Sequence, residues 1–152
     1  MKLDRYELKA GNNLTTFEFI SEGPKGQIPK LIQFTPTNYK DLYNLAFGDK
    51  NSETEQIDDI VISNNGDSEL VLATVVATLY AFTDKYPDTL VYATGSTKAR
   101  TRLYRMGISK YFGDAQSDFE IFGQIHNEWE PFAKGTDYEA FVVKRKLFNF
   151  EV

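Results

Sequence analysis

Alternation of apolar and polar residues predicts three strands in the first quarter of the chain. Arg5–Lys9 alternates, Leu14–Ser21 is rich in Thr, Phe and Ile with a period of two, and Ile28–Thr35 continues in the same manner. Turn residues separate these segments at Gly11–Asn13 and at Glu22–Gly26. We therefore expect an antiparallel meander.

Two further strands are expected before the first helix. Asp41–Asp49 suits either a short helix or a buried strand. We favour the strand, because the polar segment Asn51–Gln56 then forms the loop of a long hairpin whose second strand is Asp58–Ser63.

A long helix is expected in the middle of the chain. Ser68–Tyr86 follows a favourable N-cap residue at Asp67 and ends before Pro87. The segment is apolar nearly all round, a pattern typical of a helix that is buried on more than one side. We expect Val75 and Leu79 to be fully buried.

The remaining pattern contains one more helix. The predicted elements are a strand over Thr89–Thr94, a helix over Thr97–Met106 with Gly107 at C′, a strand over Asp118–Gln124, a polar loop over His126–Gly135 and a strand over Tyr138–Leu147. The order is βββββ-α-β-α-ββ. It predicts a single α+β domain over residues 1–152, mainly an antiparallel sheet packed against two helices, one of them long and apolar.

Composition agrees with one globular domain. Of 152 residues, 41% are apolar and 26% charged, and 12 Phe, 9 Tyr and 1 Trp supply large core side chains. The chain has no Cys, which excludes disulfides, thiolate zinc sites and thiol catalysis. Its start lacks an apolar signal segment, and Leu70–Phe82 is too short and polar to span a bilayer. We expect a cytoplasmic protein with no membrane partner.

Charge singles out one segment of an otherwise acidic chain. Net charge is −5, yet Ser96–Phe112 holds five cations and no acid. It begins where a strand turns into a helix, and the free N–H groups of a helix start favour an anion. Helical spacing places Lys98, Arg102 and Arg105 on one face. The candidate residues for this anion or partner site are Gly95, Ser96, Thr97, Lys98, Arg100, Arg102 and Arg105.

The basic segment matches neither the P-loop spacing nor the GxGxxG pattern. An alternative interpretation is a capped helix whose cationic face pairs with acidic residues elsewhere in the chain. Lys144–Lys146 in the final strand is either an extension of the basic patch or a solvated edge that discourages aggregation.

No metal, cofactor or catalytic residue is expected. An oxygen-rich segment near the first helix departs from the EF-hand spacing and is typical of a turn followed by a helix cap. Its members are Asp58, Asp59, Asn64, Asn65 and Asp67. His126 is the only histidine in a chain without Cys, which makes the usual zinc ligand sets impossible.

Four segments carry a resemblance to a known family. They are Gly95–Tyr104, with the motif GSTKARTRLY, together with Tyr43–Asp49, Ser63–Asp67 and Tyr138–Phe141. The chain resembles a family of small uncharacterised bacterial proteins over nearly its whole length. The resemblance implies a bacterial, intracellular source and supplies no catalytic residues.

The function is therefore unknown from sequence, and three hypotheses stay open. The favoured one is a non-catalytic binding module whose basic helix start contacts an anion, a nucleic acid or an acidic protein. The second is a small enzyme acting on a phosphorylated or carboxylated metabolite, with Arg100 and Arg102 as clamps. The third is a structural homo-oligomer, suggested by the apolar segment Leu70–Phe82.

Overall fold

A computed structural model describes residues 4–58, 63–94 and 98–146. The elements of these ranges are, in chain order, β1 (Lys9–Ala10), a 3₁₀ helix (Asn12–Leu14), β2 (Thr16–Gly23), β3 (Gly26–Pro36), β4 (Leu42–Asp49), α1 (Ser68–Lys85), β5 (Leu90–Ala93), α2 (Lys98–Ala115), β6 (Phe119–Ile125), β7 (Glu128–Pro131) and β8 (Ala140–Arg145). The α+β class is confirmed.

Within the described residues the strands form one sheet of eight, in the order β1-β2-β3-β4-β5-β8-β6-β7. Every neighbouring pair is antiparallel except β4 and β5, which are parallel. The parallel pair arises because α1 carries the chain back across the sheet between these two strands. The mainly antiparallel sheet and the strand at Asp41–Asp49 are thus confirmed.

One face of the sheet forms the core with the helices. Alternation along β2 and β3 buries Phe17, Phe19, Ile32 and Phe34, each at most 3% exposed. Phe82 of α1 stacks on Phe34 with ring centroids 4.2 Å apart. The period-two pattern of the sequence therefore records which face of the sheet meets the helices.

The helix α1 is not the long, all-round apolar helix that the sequence predicts. Val75 is buried as expected, but Leu79 is only half-buried and Leu70 is 37% exposed. The buried side also carries threonines, and Thr74 and Thr83 donate hydrogen bonds to the backbone one turn earlier. Residues 71–83 of α1 are all buried or half-buried, and its exposed residues lie at the two ends, Glu69 and Leu70 at one and Asp84 and Lys85 at the other. None of the described helices is long and apolar enough to cross a membrane.

The second helix is longer than predicted, and Gly107 is not its C′ residue. Gly107 lies inside α2, where it is buried against α1. A Cβ at this position would lie 2.8 Å from Cδ2 of Leu72, so the missing side chain allows the two helices to approach closely. The glycine serves helix packing rather than helix termination.

The segment predicted as a polar loop, His126–Gly135, contains a strand. β6 and β7 form a hairpin whose two turn residues, His126 and Asn127, have φ of 53° and 61°. Two consecutive positive φ angles belong to the type I′ turn that suits a hairpin. The prediction failed because neither turn residue is glycine, although Asn and His are the side chains that tolerate this region best.

The N-terminal segment also differs from its predicted strand, Arg5–Lys9. Only Lys9 and Ala10 pair with β2. Before them, the Tyr6 ring stacks on Phe19 at 5.6 Å and its backbone N–H donates to Thr74 of α1. The alternation of this segment reflects docking against the sheet edge.

The fifth strand predicted before α1, Asp58–Ser63, lies partly outside the described residues. Its two described ends, Asp58 and Ser63, belong to no strand. Ile57 forms an isolated bridge with Lys50.

Candidate functional site

The basic segment leads from the end of β5 into α2. Gly95, Ser96 and Thr97 lie outside the described residues, and so does the anion site expected over them. Lys98 begins α2 and is exposed. Arg100 belongs to the same first turn, and the prediction for its side chain lies outside the described part of the chain.

Two cations of α2 are paired with acids from other elements. The Arg105 guanidinium lies 2.5 Å from a carboxylate oxygen of Asp137, in the loop before β8. Lys110 Nζ lies 2.5 Å from Glu69 of α1, and this hydrogen bond raises the pKa of Lys110. The interpretation of a cationic face balanced by nearby acids therefore holds for the middle of α2.

Lys98 and Arg102 differ from these two residues. Both are exposed, and neither forms an ion pair with another residue of the described ranges. They lie four positions apart and hence on one face of the helix. Two unpaired cations one turn apart can contact two neighbouring phosphates or carboxylates. Arg105 lies one turn further on but is committed to Asp137.

The asparagine-rich segment before α1, residues 63–67, packs against the β2–β3 hairpin. Asn65 is 2% exposed, donates to the Gly26 carbonyl at 2.9 Å and accepts from the Lys25 N–H at 2.7 Å. A Cβ at Gly23 would lie 2.0 Å from the Asn65 carbonyl oxygen. The segment is therefore tied closely to the β2–β3 hairpin by an asparagine whose amide is already in use.

Asp67 does not cap α1 with its side chain, contrary to expectation. Its carboxylate accepts hydrogen bonds from the hydroxyls of Tyr6, at 2.6 Å, and Ser21, at 2.5 Å. Burial, followed by the hydrogen bond to Asp67, raises the pKa of Tyr6. Asp67 thus joins the N-terminal segment to β2.

Asp59 lies outside the described residues, which contain no group of three His, Cys, Asp or Glu side chains arranged for a metal ion.

The sequence analysis did not predict a buried ion pair that the structure contains. Lys30 of β3 and Asp49 of β4 are 3% and 7% exposed, and their charged groups are hydrogen-bonded. Lys30 Nζ also donates to the Ser63 carbonyl, and Asp49 accepts from the Ser63 N–H. Nothing local marks these residues as buried, because the pair forms only when β3 and β4 are in register. The pair holds the chain at Ser63.

The cluster Lys144–Lys146 is not a solvated edge, because β8 lies between β5 and β6 inside the sheet. Arg145 points to the helix side, where it donates to Thr83 at 2.7 Å and to Asp84 at 2.5 Å. Lys146 donates to the Gln116 carbonyl at 2.5 Å. Arg145 and Lys146 therefore hold the end of β8 against α1 and the α2–β6 connection.

A groove of about 810 Å³ lies beside the N-terminal segment, not beside α2. Its walls come from residues 5–9, from β2 and β3, and from the start of the loop after β4. Both cations and acids line it, and Lys50 pairs with Glu18 at 2.6 Å. The enzyme hypothesis requires a pocket in which the cationic clamp of the basic segment lies near a general base. No residue of the basic segment lines this groove, so the groove does not provide that combination.

Comparison with known proteins gives one match. A model of a family of unknown function (DUF6934) matches residues 2–146. No curated protein and no solved structure matches the chain. The expected relation to uncharacterised proteins is confirmed, and the family description assigns no chemistry to any residue.

Proposed function

The chain belongs to this family of unknown function, and we propose that it is a single-domain, non-catalytic binding module that holds an anionic partner on the exposed cations of α2. The partner is a nucleic acid or an acidic protein. The observation that carries the proposal is the division of the α2 cations: Arg105 and Lys110 are paired within the chain, whereas Lys98 and Arg102 are exposed and unpaired among the described residues.

Electrostatics supports a local rather than a global attraction. The net charge of −5 repels a polyanion at long range. Salt at physiological concentration screens exposed charges beyond about 8 Å, so a cationic patch can act on a partner that the whole molecule repels. Lys98 and Arg102 lie near the start of α2, where the helix dipole adds to their positive potential.

The enzyme hypothesis has weaker support. The groove of about 810 Å³ lies at the N-terminal segment, and no α2 cation lines it. A binding patch needs only exposed, accessible charge, and Lys98 and Arg102 supply it. As part of the proposal we retain a bacterial source and a cytoplasmic location, for which the resemblance and the absence of Cys are the support.

The test is a charge-reversal experiment with a matched control. Lys98→Glu/Arg102→Glu is compared with Lys25→Glu/Lys40→Glu, which makes the same change in net charge at two exposed lysines far from α2 in sequence. Binding of a fluorescent single-stranded oligonucleotide and of a poly-glutamate peptide is measured at two salt concentrations. We expect the α2 variant to lose about tenfold or more in affinity and to show a reduced salt slope.

An equal loss in the two variants would contradict the proposal, since it would show that only net charge matters. Inorganic phosphate adds a further arm, read by backbone amide shifts. Shifts confined to the first turn of α2 indicate a small-anion pocket at the helix start, and shifts along the whole exposed face with the oligonucleotide indicate a polyanion surface.

A further inference from the structure

The face of the sheet opposite the helices, called the outer face, carries an unusual set of side chains. The helices α1 and α2 contact the other face, as Phe34–Phe82 and Phe47–Tyr104 ring contacts show. Strand alternation then places aromatic, amide, apolar and charged side chains on the outer face. The aromatic and amide side chains are Gln33, Asn44, Tyr92, Gln124 and Trp129, and between them lie Phe122, Val142, Glu120 and Lys144.

Trp129 and Tyr92 form an aromatic pair across this face. Their strands, β7 and β5, are separated by β6 and β8, which in a flat sheet is about 14 Å. The ring centroids are nevertheless 6.1 Å apart, in an edge-to-face arrangement. On β8, one of the two strands between them, Ala140 is small and leaves room for the rings to lean towards each other.

The pair stays open to a ligand. Trp129 is 43% exposed, and Tyr92 is half-buried. An exposed indole next to a second ring offers a large, rigid stacking surface. All residues of the edge strand β7 are exposed, so burial in the core does not explain the tryptophan at this position. Gln124 is the cross-strand neighbour of Trp129, and Asn44 that of Tyr92.

These two amides give the neighbourhood of the rings a hydrogen-bonding character, beside the apolar side chains of Phe122 and Val142. Side-chain amides of Asn and Gln both donate and accept, as do the edges of nucleobases. Aromatic rings stack on any base, because every base has a π-face. The combination of ring and amide therefore suits unpaired bases better than it suits an apolar protein surface.

The chain leads from the end of β5 directly into α2, which packs on the helix side of the sheet. Tyr92 precedes Lys98 by six residues, so at most about 22 Å of chain separates them. Thr94, between them, is anchored by a hydrogen bond to the Glu139 carbonyl at 2.9 Å. A strand of a few nucleotides is long enough to contact both the rings and the cations.

We infer that the outer face binds single-stranded nucleic acid, with bases stacked on Trp129 and Tyr92 and with phosphates contacting Lys98 and Arg102. The inference rests on the proposed function for its two cations and narrows the anionic partner to one class. Stacking supplies affinity that does not depend on salt, and the cations supply the part that does.

Trp129 is the only tryptophan of the chain, so its emission reports on this face alone. Octamers of dT, dA and rU are titrated into the full chain, together with a poly-glutamate peptide and a neutral oligosaccharide. We expect the oligonucleotides to quench the emission and the other two probes to leave it unchanged. Tyr92→Leu should weaken oligonucleotide affinity about tenfold. The matched control is Tyr39→Leu, at a tyrosine that is 74% exposed and lies elsewhere, and it should have no effect.

Failure of the inference is distinguishable from failure of the proposed function. Loss of oligonucleotide affinity in Lys98→Glu/Arg102→Glu without any quenching in the parent chain would leave the cationic surface intact and overturn stacking. Quenching that Tyr92→Leu weakens but the α2 variant does not would uphold stacking and overturn the role of the cations. Quenching by the oligosaccharide alone would assign the outer face to a saccharide and overturn the inference. An emission change that follows protein concentration without any ligand would assign the face to a second copy of the chain and overturn it as well.

Discussion

At the scale of single residues, Gly123 of β6 lies directly against the ring of Tyr138. A Cβ at Gly123 would lie 2.4 Å from two ring carbons. The ring is 2% exposed, and its hydroxyl accepts from the Ala133 N–H at 3.0 Å and donates to Glu130 at 2.9 Å, so it has no free direction in which to move. We expect Gly123→Ala to lower the free energy of unfolding by about 1–3 kcal/mol or more, as measured by urea denaturation.

The control for this prediction is Gly113→Ala. Gly113 lies on the exposed side of α2, and a Cβ there would have no atom within 4 Å. Replacing a helical glycine by alanine at an open position should raise the free energy of unfolding by about 0.5–1 kcal/mol. Equal destabilisation by both substitutions would show that the Gly123–Tyr138 contact does not decide the outcome.

At the scale of elements, the stability of α1 depends on one side of the helix. Phe82 is 0% exposed and stacks on Phe34, while Leu70 is 37% exposed. We expect Phe82→Ala to lower the free energy of unfolding by about 3–5 kcal/mol. Leu70→Ala should change it by less than about 1 kcal/mol. Similar losses for both variants in chemical denaturation would mean that the exposed end of α1 at Leu70 is covered as well.

At the scale of the whole molecule, the sheet should open from its edges. β5 lies between β4 and β8 with Val91 0% exposed, whereas β7 ends the sheet and has only exposed residues. Hydrogen exchange should therefore be slower for the amides of Leu90–Ala93 than for those of residues 128–130, because β5 must separate from two partners and β7 from one. Equal protection would be evidence that a further chain covers β7.

The sequence by itself determined those elements whose burial is periodic along the chain. β2 and β3 alternate because one face meets the helices, and α1 has the length and apolar content of a helix that packs on a sheet. A period of two or 3.6 is a local property, so it can be read without knowledge of the partner. Charge clustering likewise pointed to the start of α2, although residues 95–97 of that site lie outside the described part.

Only the tertiary structure decided which residues meet across the chain. Strand register brings Lys30 next to Asp49. Gly107 lies at the point where α2 approaches Leu72 of α1, and the loop before β8 brings Asp137 to Arg105. The approach of Trp129 to Tyr92 depends in the same way on sheet order. Such contacts join positions tens of residues apart, and their energies depend on distances that no local pattern records. The sequence therefore located the cations, and the fold determined which of them stay unpaired among the described residues.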